Sequence, residues 1–203
     1  MKTITIFILL IISIITFSQE KGFSGGVFGG GVTSQVDGDT YGGYNKFGID
    51  IGIFTRFNFD KEWFGNIEIS YINKGSNFKS VQTATCYKLI VNYIEIPLYA
   101  SFKPLHIKKI KQLSFDLGLA PAVLVKSKED TRCLKPIDLI APYEVRKYDV
   151  STLLGVNWHF NENIKAGVRF LYTIIPIKQN EPFNFYKSGS YNNVLALNLF
   201  FTI

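Results

Sequence analysis

The chain has 203 residues, 47% of them hydrophobic, 15% aromatic and only 19% charged, with net charge +6 and mean hydropathy +0.13. Eighteen Phe and eleven Tyr against two Cys exclude a disordered chain, a collagen-like repeat and a disulfide-dense miniprotein. Past residue 18 no stretch reaches the roughly 18–20 uninterrupted apolar residues of a spanning helix, which argues against a helical membrane bundle, and the length fits one domain.

The N-terminus reads as an export leader. Lys2 gives a positive start, Ile4 to Phe17 form an apolar run broken only by Thr5, Ser13 and Thr16, and Thr16 and Ser18 sit at −3 and −1 of a cleavage site before Gln19. The run is too short to span a bilayer and no Cys follows it for a lipoprotein anchor. Residues 1–18 are therefore expected to be a signal peptide and residues 19–203 the mature domain, with 21 basic residues against 16 acidic, or net +5.

From there the chain alternates with period two. Phe23–Gln35 is Gly-rich and less regular. Phe47–Phe59 carries apolar residues at 47, 49, 51, 53, 57 and 59, with Asp50, Arg56 and Asn58 between them. Asn66–Lys74 sets Ile67, Ile69 and Tyr71 against Glu68 and Ser70. Leu89–Phe102 is irregular again. Leu113–Leu124 opposes Leu113, Phe115, Leu117 and Leu119 to Ser114, Asp116, Gly118 and Ala120. Val150–Phe160, Ile164–Ile174 and Leu195–Ile203 repeat the pattern, with Lys165 and Arg169 on the polar face of the second. Successive strand side chains point to opposite faces, so each of the six alternating segments has one greasy face, and the two less regular ones complete a count of eight.

Alternation alone leaves two folds open. A secreted lipocalin-like barrel keeps its apolar face inside; a transmembrane barrel turns it to lipid. Three features favour the second. The polar positions are often Gly, Ala or Ser, as in a narrow lumen. They include charges of both signs, Asp50, Glu68, Glu95 and Asp116 against Arg56, Lys165 and Arg169, which can pair across a lumen and must do so if buried. Aromatic residues gather near segment ends (Phe57, Phe59, Trp63, Phe64, Phe102, Trp158 and Phe160; Phe47, Tyr71 and Tyr172), as in interfacial girdles. The prediction is an all-β, eight-stranded antiparallel transmembrane up-and-down β-barrel. Short connections at Asp60–Gly65 and Asn161–Asn163, and a longer Lys-rich one at Pro104–Gln112, belong on the periplasmic side. Asp37–Lys46, Lys79–Lys88, Ser127–Lys147 and Gln179–Tyr191 make the long extracellular loops.

The stretches Asp37-Gly-Asp-Thr-Tyr-Gly-Gly-Tyr-Asn-Lys-Phe-Gly48, Asn92-Tyr-Ile-Glu-Ile-Pro-Leu98, Leu117-Gly-Leu-Ala-Pro-Ala122 and Ala166-Gly-Val-Arg-Phe-Leu-Tyr172 resemble the PorT-like outer-membrane β-barrel family of Bacteroidota. The resemblance covers about residues 20–203, with Glu95-Ile-Pro97 its most specific part. It implies an OmpA-like barrel in the outer membrane of a Gram-negative bacterium, brings no catalytic residues, and takes its name from a member needed for type IX secretion.

Glu95 and Pro97 fall on the lumen side. Proline cannot donate to a ladder, so Pro97 suggests a bulge or bend, and Glu95 is expected to face Arg56 or Arg169. Candidate chemistry is thin. His106 lies in the Lys-rich turn. His159, near Ser151 or Asn157 in sequence, imitates a catalytic pair but reads as a rim histidine. Gly25–Gly31 lacks the Gly-Lys-Ser/Thr of a phosphate loop, and Asp37-Gly-Asp39 lacks the remaining ligands of a calcium loop. Cys86 and Cys133, in the second and third long loops, are expected to form a disulfide. No cofactor or metal is expected, and no nucleic acid; the expected partners are outer-membrane lipids and proteins reached through the long loops. The function that follows is a non-enzymatic structural, surface-interaction or secretion-accessory role. A small-barrel enzyme or narrow channel is the alternative.

Overall fold

In the computed structural model the described residues are 22–38, 43–80, 85–130, 144–178 and 189–203. Nine strands are present among them: β1 (Phe23–Asp37), β2 (Lys46–Asn58), β3 (Trp63–Ser80), β4 (Thr85–Glu95), β5 (Leu98–Phe102), β6 (Leu113–Asp130), β7 (Tyr148–His159), β8 (Ile164–Thr173) and β9 (Tyr191–Thr202). Every pairing is antiparallel, and β9 returns to pair with β1, from Gly26 against Thr202 to Asp37 against Tyr191. The sheet is therefore a closed ring without edges.

β4 and β5 are one stave of that ring, so nine segments make eight barrel strands. Both pair with β3 and both with β6. Ser70 faces Glu95 and Ile67 faces Leu98, so the register runs through Ile96 and Pro97 without a slip. The bulge expected at Pro97 is absent. Pro97 removes one ladder donor, yet its carbonyl still accepts from Glu68 N at 3.0 Å, and Ile96 N reaches Pro121 O at 2.8 Å. The register shift lies instead between Asn92 and Tyr93, opposite Lys126 and Leu124, leaving Val125 as the extra residue on β6.

The outward face is apolar and exposed. Ile49, Ile51 and Ile53 on β2, Ile67 and Ile69 on β3, Leu117 and Leu119 on β6, Leu154 and Val156 on β7, and Leu197 on β9 all point away from the ring. A continuous greasy exterior needs lipid around it, and a closed barrel is the strand architecture whose backbone is fully paired there. At the end where β2 meets β3 and β7 meets β8, Trp63 packs on Phe102 (ring centroids 4.8 Å) and Phe57 on Phe59 (5.1 Å), beside exposed Trp158 and Phe160. Phe64 departs from this girdle: it faces inward beneath Arg56.

β3 and β6 are each 18 residues long. At ~3.3 Å per residue that is ~60 Å, against a hydrocarbon core of ~30 Å. The excess lies at the loop end, where the outward apolar row of β3 stops at Tyr71 and Asn73 to Ser80 follow. The second long loop expected from the sequence is accordingly shorter, because β3 extends to Ser80 and β4 begins at Thr85.

Two apolar clusters share the interior with the charges. Phe28, Phe54 and Phe200 form one in the turn-end half, with Phe28 and Phe200 stacked at 5.0 Å. The other fills the loop-end half with Val32, Ile72, Leu89, Val91, Leu153, Leu171 and Val194, and Ile177, from the segment after β8, is buried against it. Close packing uses glycine on the inward face: a Cβ on Gly52 would stand 2.8 Å from Ser70 Cβ and 2.9 Å from Phe28 Cε1.

Candidate functional site

The barrel's inward carboxylates, Asp50, Glu68, Glu95, Asp116 and Asp149, are matched by Lys46, Arg56, Lys74, Lys165 and Arg169. Period two fixes this. Apart from Lys74, each charge sits one residue from an outward apolar neighbour, so the strand that turns Ile67 and Ile69 to lipid must turn Glu68 into the lumen.

Arg169 on β8 reaches across the lumen to Glu68 on β3 as a two-pronged pair, Nη1 to Oε2 at 2.7 Å and Nη2 to Oε1 at 2.7 Å. Its Nη2 also donates to Tyr99 Oη at 2.8 Å, and Tyr99 Oη donates to Glu68. Planar fork-to-carboxylate pairing is among the stronger polar contacts, and both partners are almost wholly buried. The guanidinium is further enclosed by the faces of Phe200 (4.7 Å) and Tyr99 (4.9 Å). Asp116 Oδ2 lies 4.0 Å from Arg169 Nη2 and accepts from Asn157 Nδ2 at 2.8 Å, while its Oδ1 accepts from Ser101 Oγ at 2.6 Å.

A second group stands nearer the loop end. Lys74 donates to Glu95, with Asp149 Oδ2 at 4.0 Å, and Asp149 accepts from Thr173 Oγ1 and Asn192 Nδ2, each at 3.3 Å. Glu95 thus pairs with Lys74, not with Arg56 or Arg169 as the sequence suggested. Alternation placed Glu95 in the lumen correctly, but its partner follows from ladder register, which sets Lys74 against Val91 on the neighbouring stave.

The remaining charges stand apart. Asp50 accepts from Asn198 Nδ2 at 2.7 Å and has no ion pair among the described residues. Lys165 Nζ lies 4.4 Å over the Phe200 ring. Arg56 Nε donates to Asn66 Oδ1 at 3.3 Å and its guanidinium lies over Phe64 at 5.4 Å. Of the seven charged residues expected in the lumen, Glu68, Arg169 and Asp116 form one cluster, Glu95 belongs to another, and Asp50, Arg56 and Lys165 lack a carboxylate or cation partner within 4 Å among the described residues. Lys46, Lys74 and Asp149 escaped the sequence argument.

The two histidines serve different contacts. His106 Nδ1 lies 2.8 Å from Glu62 Oε1, and its backbone N–H donates to the same oxygen at 3.2 Å, fastening the Lys-rich turn to the β2–β3 turn. These bonds favour the charged carboxylate and hold Glu62 below its ordinary range. His159 meets neither Ser151, which pairs with Thr173 near the other end, nor Asn157. Its Nε2 lies 3.0 Å from Ser114 Oγ, which accepts from Asn157 Nδ2 at 3.2 Å. Asn157 thus bonds to the serine and leaves the histidine unoriented. Ser114 is 2% exposed. Among the described residues no group of His, Cys, Asp and Glu is arranged to hold a metal. Cys86 lies within β4, paired in register with Lys79 and not in a loop, and is disulfide-bonded; Cys133 lies outside the described residues, as do Asp39 and residues 1–18.

A ring of eight staves with a lipid-facing exterior and an interior filled by its own side chains is now set. Residues 17–179 match the outer membrane protein beta-barrel domain family. The chain belongs to that family. As an outer membrane protein beta-barrel it is assigned to the outer membrane, and its fold is the eight-stranded up-and-down barrel. Among solved structures it is similar to the attachment invasion locus protein Ail of Yersinia pestis, crystallised with the heparin analogue sucrose octasulfate (12% identity, 90% of this chain and 99% of that one, TM-score 0.49). It is similar to Neisserial surface protein A (10% identity, 90% and 98%, TM-score 0.46) and to OprG of Pseudomonas aeruginosa (11% identity, 89% and 94%, TM-score 0.42). A search of curated proteins returns no match.

Proposed function

We propose that the chain is a non-enzymatic outer-membrane barrel of the PorT-like type in a Gram-negative bacterium of the Bacteroidota. Residues 1–18 are its export leader, and its role is structural, surface-interacting or secretion-accessory. The observation that carries this is the filled interior. Arg169 and Glu68 bridge the lumen in the turn-end half, Lys74 and Glu95 pair between neighbouring staves in the loop-end half, and the aliphatic cluster that includes Ile177 fills the space around them. Eight strands leave a lumen just wide enough for side chains, and here the side chains use it. A barrel that neither conducts nor presents an accessible nucleophile acts through its ends and its lipid-facing wall.

The overhang of β3 and β6 supports the loop end as the working surface. It carries residues past the apolar band, and the disulfide at Cys86 adds a covalent tie there. A bridge from Cys86 to Cys133 would join the second and third long connections into one cap. The test is deletion of the gene followed by comparison of surface and secreted proteomes with the parent. Loss of a defined set of surface or secreted proteins is expected; an unchanged secretome counts against the secretion role.

A further inference from the structure

The turn end of the lumen holds cations that the ion-pair network does not use. Arg56 on β2 and Lys103, just beyond β5, line one cavity of about 500 Å³ together with Ser24, Asn58, His159 and Glu162. Lys165, opposite His159 in the β7–β8 ladder, lies just behind it. Among the described residues none of these three cations has a carboxylate within 4 Å, and Lys103 and Lys165 have no hydrogen-bond partner for their ammonium groups. Elsewhere in this lumen Arg169 and Lys74 are paired with Glu68 and Glu95, because an uncompensated buried cation is costly.

The volume lies within the ~300–1,000 Å³ of ordinary small-ligand pockets. The chemistry is one-sided. A guanidinium offers a planar fork that matches two oxygens of a phosphate, an ammonium adds a point charge, and Ser24 and Asn58 add neutral donors. Glu162 is the one carboxylate lining the cavity; with Lys103 and Lys111 it also lines an adjoining space of about 400 Å³. We propose that this mouth binds a phosphate oxyanion, free or as a lipid headgroup, through Arg56 and Lys103. Burial, and then the like charge of Arg56, hold the Lys103 ammonium below its ordinary value against the opposing pull of Glu162. An oxyanion between the two cations removes that repulsion. The site is independent of any role at the long-loop end.

The full chain, folded in detergent micelles and checked by its heat-dependent gel shift, is titrated calorimetrically with inorganic phosphate and separately with a short-chain phosphatidylglycerol. Binding of either is expected, with about tenfold weaker affinity in Arg56→Gln and in Lys103→Gln, the scale of one charge-assisted bond. Lys109→Gln, exposed on the same turn but outside the cavity, is expected to bind as the parent does. Binding of both ligands identifies free phosphate as sufficient, and binding of the lipid alone identifies the headgroup. Binding of neither, or an equal loss in Lys109→Gln, overturns the proposal. Lys103→Gln sits in a turn, so the site remains testable even if Arg56→Gln does not fold.

Discussion

The two halves of the lumen are closed in different ways. In the turn-end half, Arg169, Glu68, Tyr99, Asp116, Asn157 and Ser101 form a continuous polar web around three phenylalanine rings. In the loop-end half, Lys74 and Glu95 are set in an aliphatic cluster of Val, Ile and Leu, with Asp149 as their nearest further charge. The contrast separates two uses of a buried ion pair. One is a member of a network whose other polar atoms depend on it; the other could be exchanged for packing.

Substitutions that treat the two pairs alike should therefore give unlike results. Arg169→Met leaves Glu68 buried without its cation and removes a bond from Tyr99, and is expected to cost about 3–5 kcal/mol in urea unfolding from lipid vesicles. Adding Glu68→Leu should leave a deficit, because buried Tyr99 Oη then has neither the bond from Arg169 nor its acceptor on Glu68. Lys74→Met alone is expected to cost a similar amount, since it leaves Glu95 buried and unpaired. The double variant Lys74→Met with Glu95→Leu should return to within about 1 kcal/mol of the parent or exceed it, as charge gives way to packing. Equal recovery in both double variants would erase the distinction between the halves.

The wall shared by both halves is tested next. Leu117→Arg puts a guanidinium on the lipid face of β6, where Leu117 is 65% exposed, and is expected to cost about 2–4 kcal/mol if that face lies near the bilayer midplane. The smallest effect concerns the turns alone. The carboxyl of Glu62 is held below its ordinary value, chiefly by its bond from His106. A depressed carboxyl contributes stability that is complete above its unfolded value and lost as pH falls through its folded value. The urea midpoint of the parent should thus fall slightly more than that of His106→Gln between pH 6 and pH 3, and parallel curves would show that this bond does not couple to folding.

Much of the barrel was legible because lipid enforces alternation. The six segments read from period two and the two less regular ones that complete the count are all staves, and Asp50, Arg56, Glu68, Glu95, Asp116, Lys165 and Arg169 all turn inward. What escaped has one physical origin. Past the apolar band water bathes the outer face, so β3 from Asn73 to Ser80 is polar apart from Gly75 and inward-packed Phe78 and carries no alternation. Lys74 therefore read as the end of a strand, Lys46 as a loop residue, and Asp149 fell between a loop and a strand, although each is buried. Pairing was equally hidden. Alternation fixes which face a residue takes but not its height, and the partner of Glu95 depends on the register between staves. Ser114 and His159 meet for the same reason, 45 residues apart in sequence.

The filled lumen is tested most directly by conductance of the folded chain in planar bilayers at symmetric salt, with insertion verified in the same vesicles by the heat-dependent gel shift. The inserted parent protein is expected to pass no steady current, whereas Arg169→Ala combined with Glu68→Ala should open transient conductance. A stable open channel in the parent would contradict a lumen closed by its own side chains.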